Sequence, residues 1–206
     1  MEKPVEGYLE GRNISVVAAR LRSGGVAVLP TDTIYGFHCV YSNRSSIDRI
    51  RRLKERSKSS GFILLASSLV MADRLVEKWP AGARRILGSL WPAPLTVILP
   101  ASRRIPAALR PNGGVAVRIP AMDSLAALIK KTGEPLVSTS VNLSGQPPLN
   151  RIAEIRREFP GIDVYISRRG DGSRNPSTLI DLTGREARII RPGSIVRRAA
   201  LAFGID

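Results

Sequence analysis

Residues 24–37 read GGVAVLPTDTIYGF. Gly24 and Gly25 lack a Cβ and accept the backbone conformations at which helices stop, so a helix before them ends there. VAVLP, Val26 to Pro30, is a short apolar run of strand length. Pro30 cannot donate to a ladder and Gly36 permits a tight backbone, which presents Thr31, Asp32 and Thr33 at a sheet edge just beyond a buried strand. Upstream, Asn13 is placed to cap a helix bearing Ile14, Val17, Ala18 and Leu21.

The same alternation continues outward. Ser45 begins a capping-box-like Ser-Ser-Ile-Asp that leads into Ile47, Ile50 and Leu53, and GFILLA, Gly61 to Ala66, reads as a buried strand. Helical stretches are predicted over Leu69 to Trp79 and Ala83 to Leu90, then strands at LTVIL (Leu95 to Leu99) and VAVRI (Val115 to Ile119). A helix near Ser124 to Lys131 ends at Gly133, and PLVSTSVN (Pro135 to Asn142) follows. Ile152 to Phe159, DVYIS, STLIDL, ARIIR and a helical tail complete the chain. Helices alternating with short β-rich runs predict an α/β fold, and the adjacent strand candidates after residue 161 predict a mixed sheet. No linker or internal repeat is evident, so a single domain over 1–206 is expected, with its core at about residues 14–193.

Composition narrows the chemistry. The 206 residues are 43% hydrophobic and 24% charged, which is ordinary for a globular protein. No stretch reaches the roughly 18 to 20 apolar residues of a membrane span, and the N-terminus lacks a signal-peptide layout, so a cytoplasmic protein without a membrane association is expected. Cys39 and His38 stand alone, which excludes disulfide frameworks, multi-cysteine zinc sites, HExxH and, unless His38 is the base, a Ser-His-Asp triad. Neither GxGxxG nor GxxxxGK[ST] occurs. The net charge is +15, and 26 of the 32 basic residues are Arg, a side chain suited to phosphate and carboxylate. An Arg-rich solvated surface would give the same total.

Four polar clusters interrupt the apolar pattern, each at a strand end. Besides PTDTIYGF, LKERSKSSG (Leu53 to Gly61) carries Lys54, Arg56 and Lys58, which alternate onto one side if extended and could line up against a phosphate chain. In PLVSTSVNLSG, a period of two places Ser138, Ser140 and Asn142 on one face. Such a platform is costly to bury unless something satisfies it. The fourth cluster is discontinuous: Arg118, Ser177 with Thr178, and Arg191. A capped turn, a solvated helix end, a Ser-rich turn and an internal Arg118–Asp181 pair are the corresponding readings without function.

Taken in order, PTDTIYG, the Lys-x-Arg of LKER before GFILLA, WPAPLTVIL, VAVRIP, STSVNLSG, PSTLID and IIRPG resemble the YrdC-like domain of the threonylcarbamoyl-AMP synthase family. The resemblance spans Val26 to about Gly193. It implies one α/β domain around a twisted mixed sheet flanked by helices, with a positively charged groove. It implies a nucleotidyltransferase that makes threonylcarbamoyl-adenylate and pyrophosphate from L-threonine, bicarbonate or CO2, and ATP with Mg2+. The product would feed threonylcarbamoyladenosine formation in tRNA through a separate transfer machinery. By the family pattern Thr33, Arg118, Ser138 and Ser177 hold threonine. Lys54, Arg56, Ser140, Asn142 and Arg191 contact ATP, with Lys54 and Arg56 the phosphate-facing cations that matter most for rate.

The chain also departs from the pattern. Ser57 and Ser60 occupy places where Pro and a Lys, Asn or His are usual, Ser60 thus falling at an ATP position. His38 and Ala93 replace common glycines, and Leu65 stands where some members have His. The sequence reaches Asp206, so the additional C-terminal domain of longer members is expected to be absent. The rival expectation is a non-catalytic module that binds double-stranded RNA or tRNA through the Arg excess. It would need basic residues spread over a surface rather than hydroxyls gathered in a compact site.

Overall fold

The computed structural model describes residues 3–55, 62–168 and 175–205. Arg56, Ser57, Lys58 and Ser60 therefore lie outside the described residues. The strands are β1 (Val5–Tyr8), β2 (Ala27–Leu29), β3 (Gly36–Val40), β4 (Ile63–Leu65), β5 (Leu95–Pro100), β6 (Gly114–Arg118), β7 (Leu136–Ser140), β8 (Val164–Ser167), β9 (Thr178–Asp181) and β10 (Arg188–Arg191). The α-helices are α1 (Gly11–Arg22), α2 (Arg44–Leu53), α3 (Leu69–Asp73), α4 (Ala83–Leu90), α5 (Asp123–Thr132), α6 (Ile152–Glu158) and α7 (Val196–Phe203).

One mixed sheet carries all of these strands in the order β1-β8-β2-β3-β7-β4-β6-β5-β9-β10. Pairs β1/β8, β2/β8, β4/β6 and β5/β9 are parallel and the others antiparallel. Period-two alternation divides the side chains between two layers. Over one face α1 and α5 pack Val17, Leu21, Leu125 and Leu128 onto Ala27, Leu29, Val40, Leu136 and Val164. The opposite face packs Phe37, Leu64, Val97, Val117 and Val137 against Ile47 and Ile50 of α2, Leu87 of α4 and Ala199 of α7. Leu9 and Ala199, outside the expected 14–193 core, are buried as well.

Several local expectations shift for identifiable reasons. Asn13 lies inside α1 rather than capping it, and its Nδ2 donates to the carbonyls of Glu6 and Tyr8, which fastens the helix to β1. Asn43, not Ser45, caps α2: its Oδ1 accepts from the Ser46 amide at 3.0 Å and from the Ser45 hydroxyl. The helix predicted over Leu69 to Trp79 stops after Asp73, because Val76 bridges Ala101 and the Glu77 amide donates to Pro100 at the end of β5. β1 and β3 carry no expectation from the sequence. β3 pairs with β2 on one side and β7 on the other, so the conspicuous TDTIY segment is a tight connection between two strands rather than a free turn.

Candidate functional site

The helices α1 and α5 cover only part of their sheet face. Gly36, Ile63, Leu65, Ala116, Arg118, Ser138 and Ser140 belong to that face by alternation, and they line a cavity of about 530 Å³. The small residues among them set its depth. Gly36 is required where it stands: a Cβ there would lie 2.7 Å from Nε2 of His38 and 3.2 Å from Oγ of Ser138. Thr31, Thr33 and Tyr35 form one wall, Ser177, Asp181 and Arg191 another, and Asn112 and Pro148 reach the rim.

Thr33 and Arg118 meet at the floor. Arg118, 3% exposed, donates from Nη1 to Thr33 Oγ1 at 3.0 Å and from Nη2 to Oδ1 of Asp32. The other Asp32 oxygen accepts from the Ala121 amide at 3.0 Å. The partner of Arg118 is thus Asp32, and the alternative pairing with Asp181 does not form: Asp181 Oδ1 instead accepts from the amide and hydroxyl of Thr183. The Thr31 hydroxyl donates to the carbonyl of Ile34, so in the 2.9 Å Thr31–Thr33 pair the proton comes from Thr33. Thr33 Oγ1 then accepts from Arg118 and presents its remaining capacity to the cavity as an acceptor, suited to a ligand N–H.

Ser138 and Ser140 line the cavity as the period-two pattern predicts. Asn142 lies past the end of β7, and its Oδ1 accepts from the Ser140 hydroxyl at 2.6 Å. Lys54, the C-cap of α2, is 2% exposed. Its ammonium donates to the carbonyls of Ser140 and Asn142 and to Asn142 Oδ1. Lys54 and Asn142 do not line the cavity; they fix the turn that follows Ser140.

The far wall is built on Ser177 and Arg191. Ser177, 2% exposed, shares a 2.7 Å hydroxyl pair with Thr96 of β5. Arg191 donates from Nε and Nη2 to the Ser177 carbonyl at 3.2 and 3.1 Å, and from Nη2 to the Ser177 hydroxyl at 3.3 Å. Burial holds Arg191 below the usual guanidinium range, and the charge of Arg118 pushes it the same way. Two guanidinium groups that share one cavity favour an anion between them. Backbone packing makes Gly193 obligatory, since a Cβ there would stand 2.3 Å from the Thr178 amide nitrogen.

Of the ten predicted site residues, six therefore line a single cavity: Thr33, Arg118, Ser138, Ser140, Ser177 and Arg191. Lys54 and Asn142 stand behind it, and Arg56 and Ser60 fall outside the described residues. Arg168 and Thr96 were not singled out in the sequence. Arg168 directly follows β8 and donates from Nη2 to the carbonyls of Thr31 and Thr33 at 2.9 and 3.0 Å. Its place at a strand end, like that of the other clusters, was the available signal. His38, wholly buried in β3, is pushed down to about 4 by desolvation, offset only in part by the backbone of Leu29 and Val137. Burial pushes the Cys39 thiol up to about 12. The imidazole and the thiol are accordingly neutral at pH 7.

An α/β sheet whose open end gathers hydroxyls and guanidinium groups into one cavity defines a domain with a polar pocket suited to positioning a ligand. The chain belongs to the Sua5/YciO/YrdC family: the family model Sua5_yciO_yrdC, described as "Telomere recombination", matches residues 19–193. Curated relatives named threonylcarbamoyl-AMP synthase include that of Thiobacillus denitrificans, 40% identical over 171 residues, covering 81% of this chain and 90% of the relative. The Chromobacterium violaceum protein of that name is 37% identical over 173 residues, covering 84% and 89%. Among solved structures, P. abyssi Sua5 complexed with L-threonine superposes with a TM-score of 0.88 at 29% identity. That match covers 98% of this chain, which spans 60% of the Sua5 chain. E. coli YciO gives a TM-score of 0.84 at 25% identity, covering 95% of this chain and 98% of its own. Among the described residues no helix is long and apolar enough to cross a membrane.

Proposed function

We propose that this chain is a cytoplasmic threonylcarbamoyl-AMP synthase. It would join L-threonine, bicarbonate or CO2, and ATP into threonylcarbamoyl-adenylate, release pyrophosphate, and supply the threonylcarbamoyladenosine modification of tRNA. Family membership, the shared name of the curated relatives and the L-threonine in the Sua5 neighbour support this reading. The observation that carries it is the convergence of Thr33, Arg118, Ser138 and Ser177 on one cavity that also contains Arg191.

In this proposal the threonine carboxylate lies in the field of Arg118, whose orientation Asp32 holds, and the Thr33 oxygen accepts from the substrate nitrogen. The threonine amine adds to CO2 with loss of a proton. A carbamate oxygen then attacks the α-phosphorus of ATP, and the bond to the pyrophosphate oxygen breaks. Arg191 and Ser140 face the nucleotide, with Asn142 and Lys54 supporting Ser140; Arg56 and Ser60 are assigned to the nucleotide by the family pattern alone. No protein nucleophile is needed. Among the described residues no group of three His, Cys, Asp or Glu gathers to hold a resident ion, and both oxygens of Asp32 are engaged. In this reading Mg2+ accompanies ATP as its counter-ion.

Incubation with ATP, bicarbonate and each amino acid tests the reading. Pyrophosphate release and an acyl-adenylate that depend on threonine are expected. Tight, strongly salt-dependent RNA binding without any turnover would favour the RNA-binding module instead. Among the described residues, Arg118 and Arg191 are the basic residues that line the cavity, so most of the +15 charge lies outside it.

A further inference from the structure

Four contacts converge on Arg168. Its Nη2 donates to the carbonyls of Thr31 and Thr33, and its backbone amide donates to Oη of Tyr35 at 2.7 Å. Its guanidinium carbon lies 5.4 Å from the centroid of the Tyr35 ring. Arg168 thus holds the Thr31–Tyr35 segment at two backbone carbonyls and at one aromatic side chain. Residues 30–35 lie between the end of β2 at Leu29 and the start of β3 at Gly36, and the Tyr35 carbonyl, next to β3, accepts from the Val141 amide at 3.3 Å. Local support comes from Thr31, whose hydroxyl spans to Ile34, and from Asp32, which is held by Arg118 and Ala121. Without Arg168, the carbonyls of Thr31 and Thr33 would both lose this charged donor.

We infer that Arg168 is a positioning residue for the amino-acid end of the cavity: it sets the backbone that aims Thr33 Oγ1 at the ligand. The inference rests on the proposed synthase reading. Arg168 is not among the residues lining the cavity, so it acts through Thr31, Thr33 and Tyr35. A flat guanidinium both stacks on a ring and directs parallel N–H donors, whereas an ammonium is a compact point charge. Lysine at 168 should therefore keep the carbonyl contacts in part and lose much of the stacking.

The test compares steady-state kinetics and threonine binding for the intact protein, Arg168→Ala and Arg168→Lys. Removing charge-assisted hydrogen bonds that orient one ligand contact should raise KM for threonine by about tenfold or more, with KM for ATP and kcat each changing less than about threefold. Calorimetric threonine affinity without ATP should fall in parallel, and Arg168→Lys should recover part of the loss. Unchanged threonine KM and affinity in a folded Arg168→Ala protein would overturn the assignment, as would equal losses for threonine and ATP. If the alanine variant does not fold, Arg168→Gln, which keeps an amide donor, carries the same comparison. Failure of the unaltered protein to turn over threonine would instead overturn the synthase reading, a separate result read before any variant is made.

Discussion

Asp32 and Arg118 form an ion pair at the floor of the cavity, with side chains only 9% and 4% exposed. Each is held from a second side, Asp32 by the Ala121 amide and Arg118 by Thr33. Removing one partner leaves the other charge buried and uncompensated, whereas removing both does not. Arg118→Leu should therefore cost about 3–5 kcal/mol in a chemical denaturation experiment. Arg118→Leu with Asp32→Leu should recover much of that stability without restoring threonine-dependent pyrophosphate release.

Lys54 is the corresponding device at the other end of the site. Its three bonds to Ser140 and Asn142 tie the end of α2 to the end of β7. Lys54→Met keeps the apolar stem and removes the donors, so the part-buried Ser140 and Asn142 carbonyls lose this partner while Asn142 Oδ1 keeps the Ser140 hydroxyl. A loss of about 1–3 kcal/mol is expected for each acceptor left unsatisfied, without simple additivity. Turnover should fall in the same variant, because Ser140 loses its support; denaturation and pyrophosphate release read the two effects separately.

His38 makes a pH prediction. Its folded value of about 4 lies below the ordinary 6.5, so between those values the unfolded chain takes up a proton that the native one excludes. Its contribution to stability is complete above pH 6.5 and is lost as pH falls towards 4, by about 3 kcal/mol in total. Other groups titrate in the same window, so the measurement is a difference. The stability of His38→Leu should fall less steeply than that of the unaltered protein between pH 6.5 and 4.

Gly193 lies where the chain passes the backbone of Pro176, Ser177 and Thr178. The three nearest atoms to an added Cβ are all backbone, at 2.3 to 2.7 Å, so no rotamer change relieves the clash. Gly193→Ala should cost about 1–3 kcal/mol or more by overpacking. It should also displace Ser177 from Arg191, seen as weaker threonine and nucleotide binding in calorimetry.

Much of this was legible in sequence because the strands are short and apolar and the site residues interrupt them. The alternation in LVSTS located Ser138 and Ser140, and Arg118 was conspicuous as a cation inside VAVRI. What stayed hidden depended on pairing across the sheet. Nothing local in GFHCV distinguishes a central strand from the tail of a turn, yet β3 lies between β2 and β7. The partner of Arg118 is equally nonlocal: Asp32 and Asp181 are both near polar turns, and only the fold brings Asp32 within reach. The cap of α2 is Asn43, two residues before the expected Ser45, because its Oδ1 is the oxygen that reaches the Ser46 amide. Arg168 was missed because its guanidinium donates to backbone carbonyls, which carry no sequence signature, and its aromatic partner Tyr35 is far away along the chain.

The sheet order also bears on when the cavity comes into being. β2, near the start of the chain, receives its neighbour β8 only after most of the sequence exists, and the outermost wall with Arg191 is contributed by β10. Pairings between distant segments close slowly, because long loops must be ordered before any contact stabilises them. A partly synthesised chain would hold Thr33 and Arg118 without the Ser177–Arg191 wall opposite them. Both walls of the cavity therefore coexist only in a chain synthesised as far as β10.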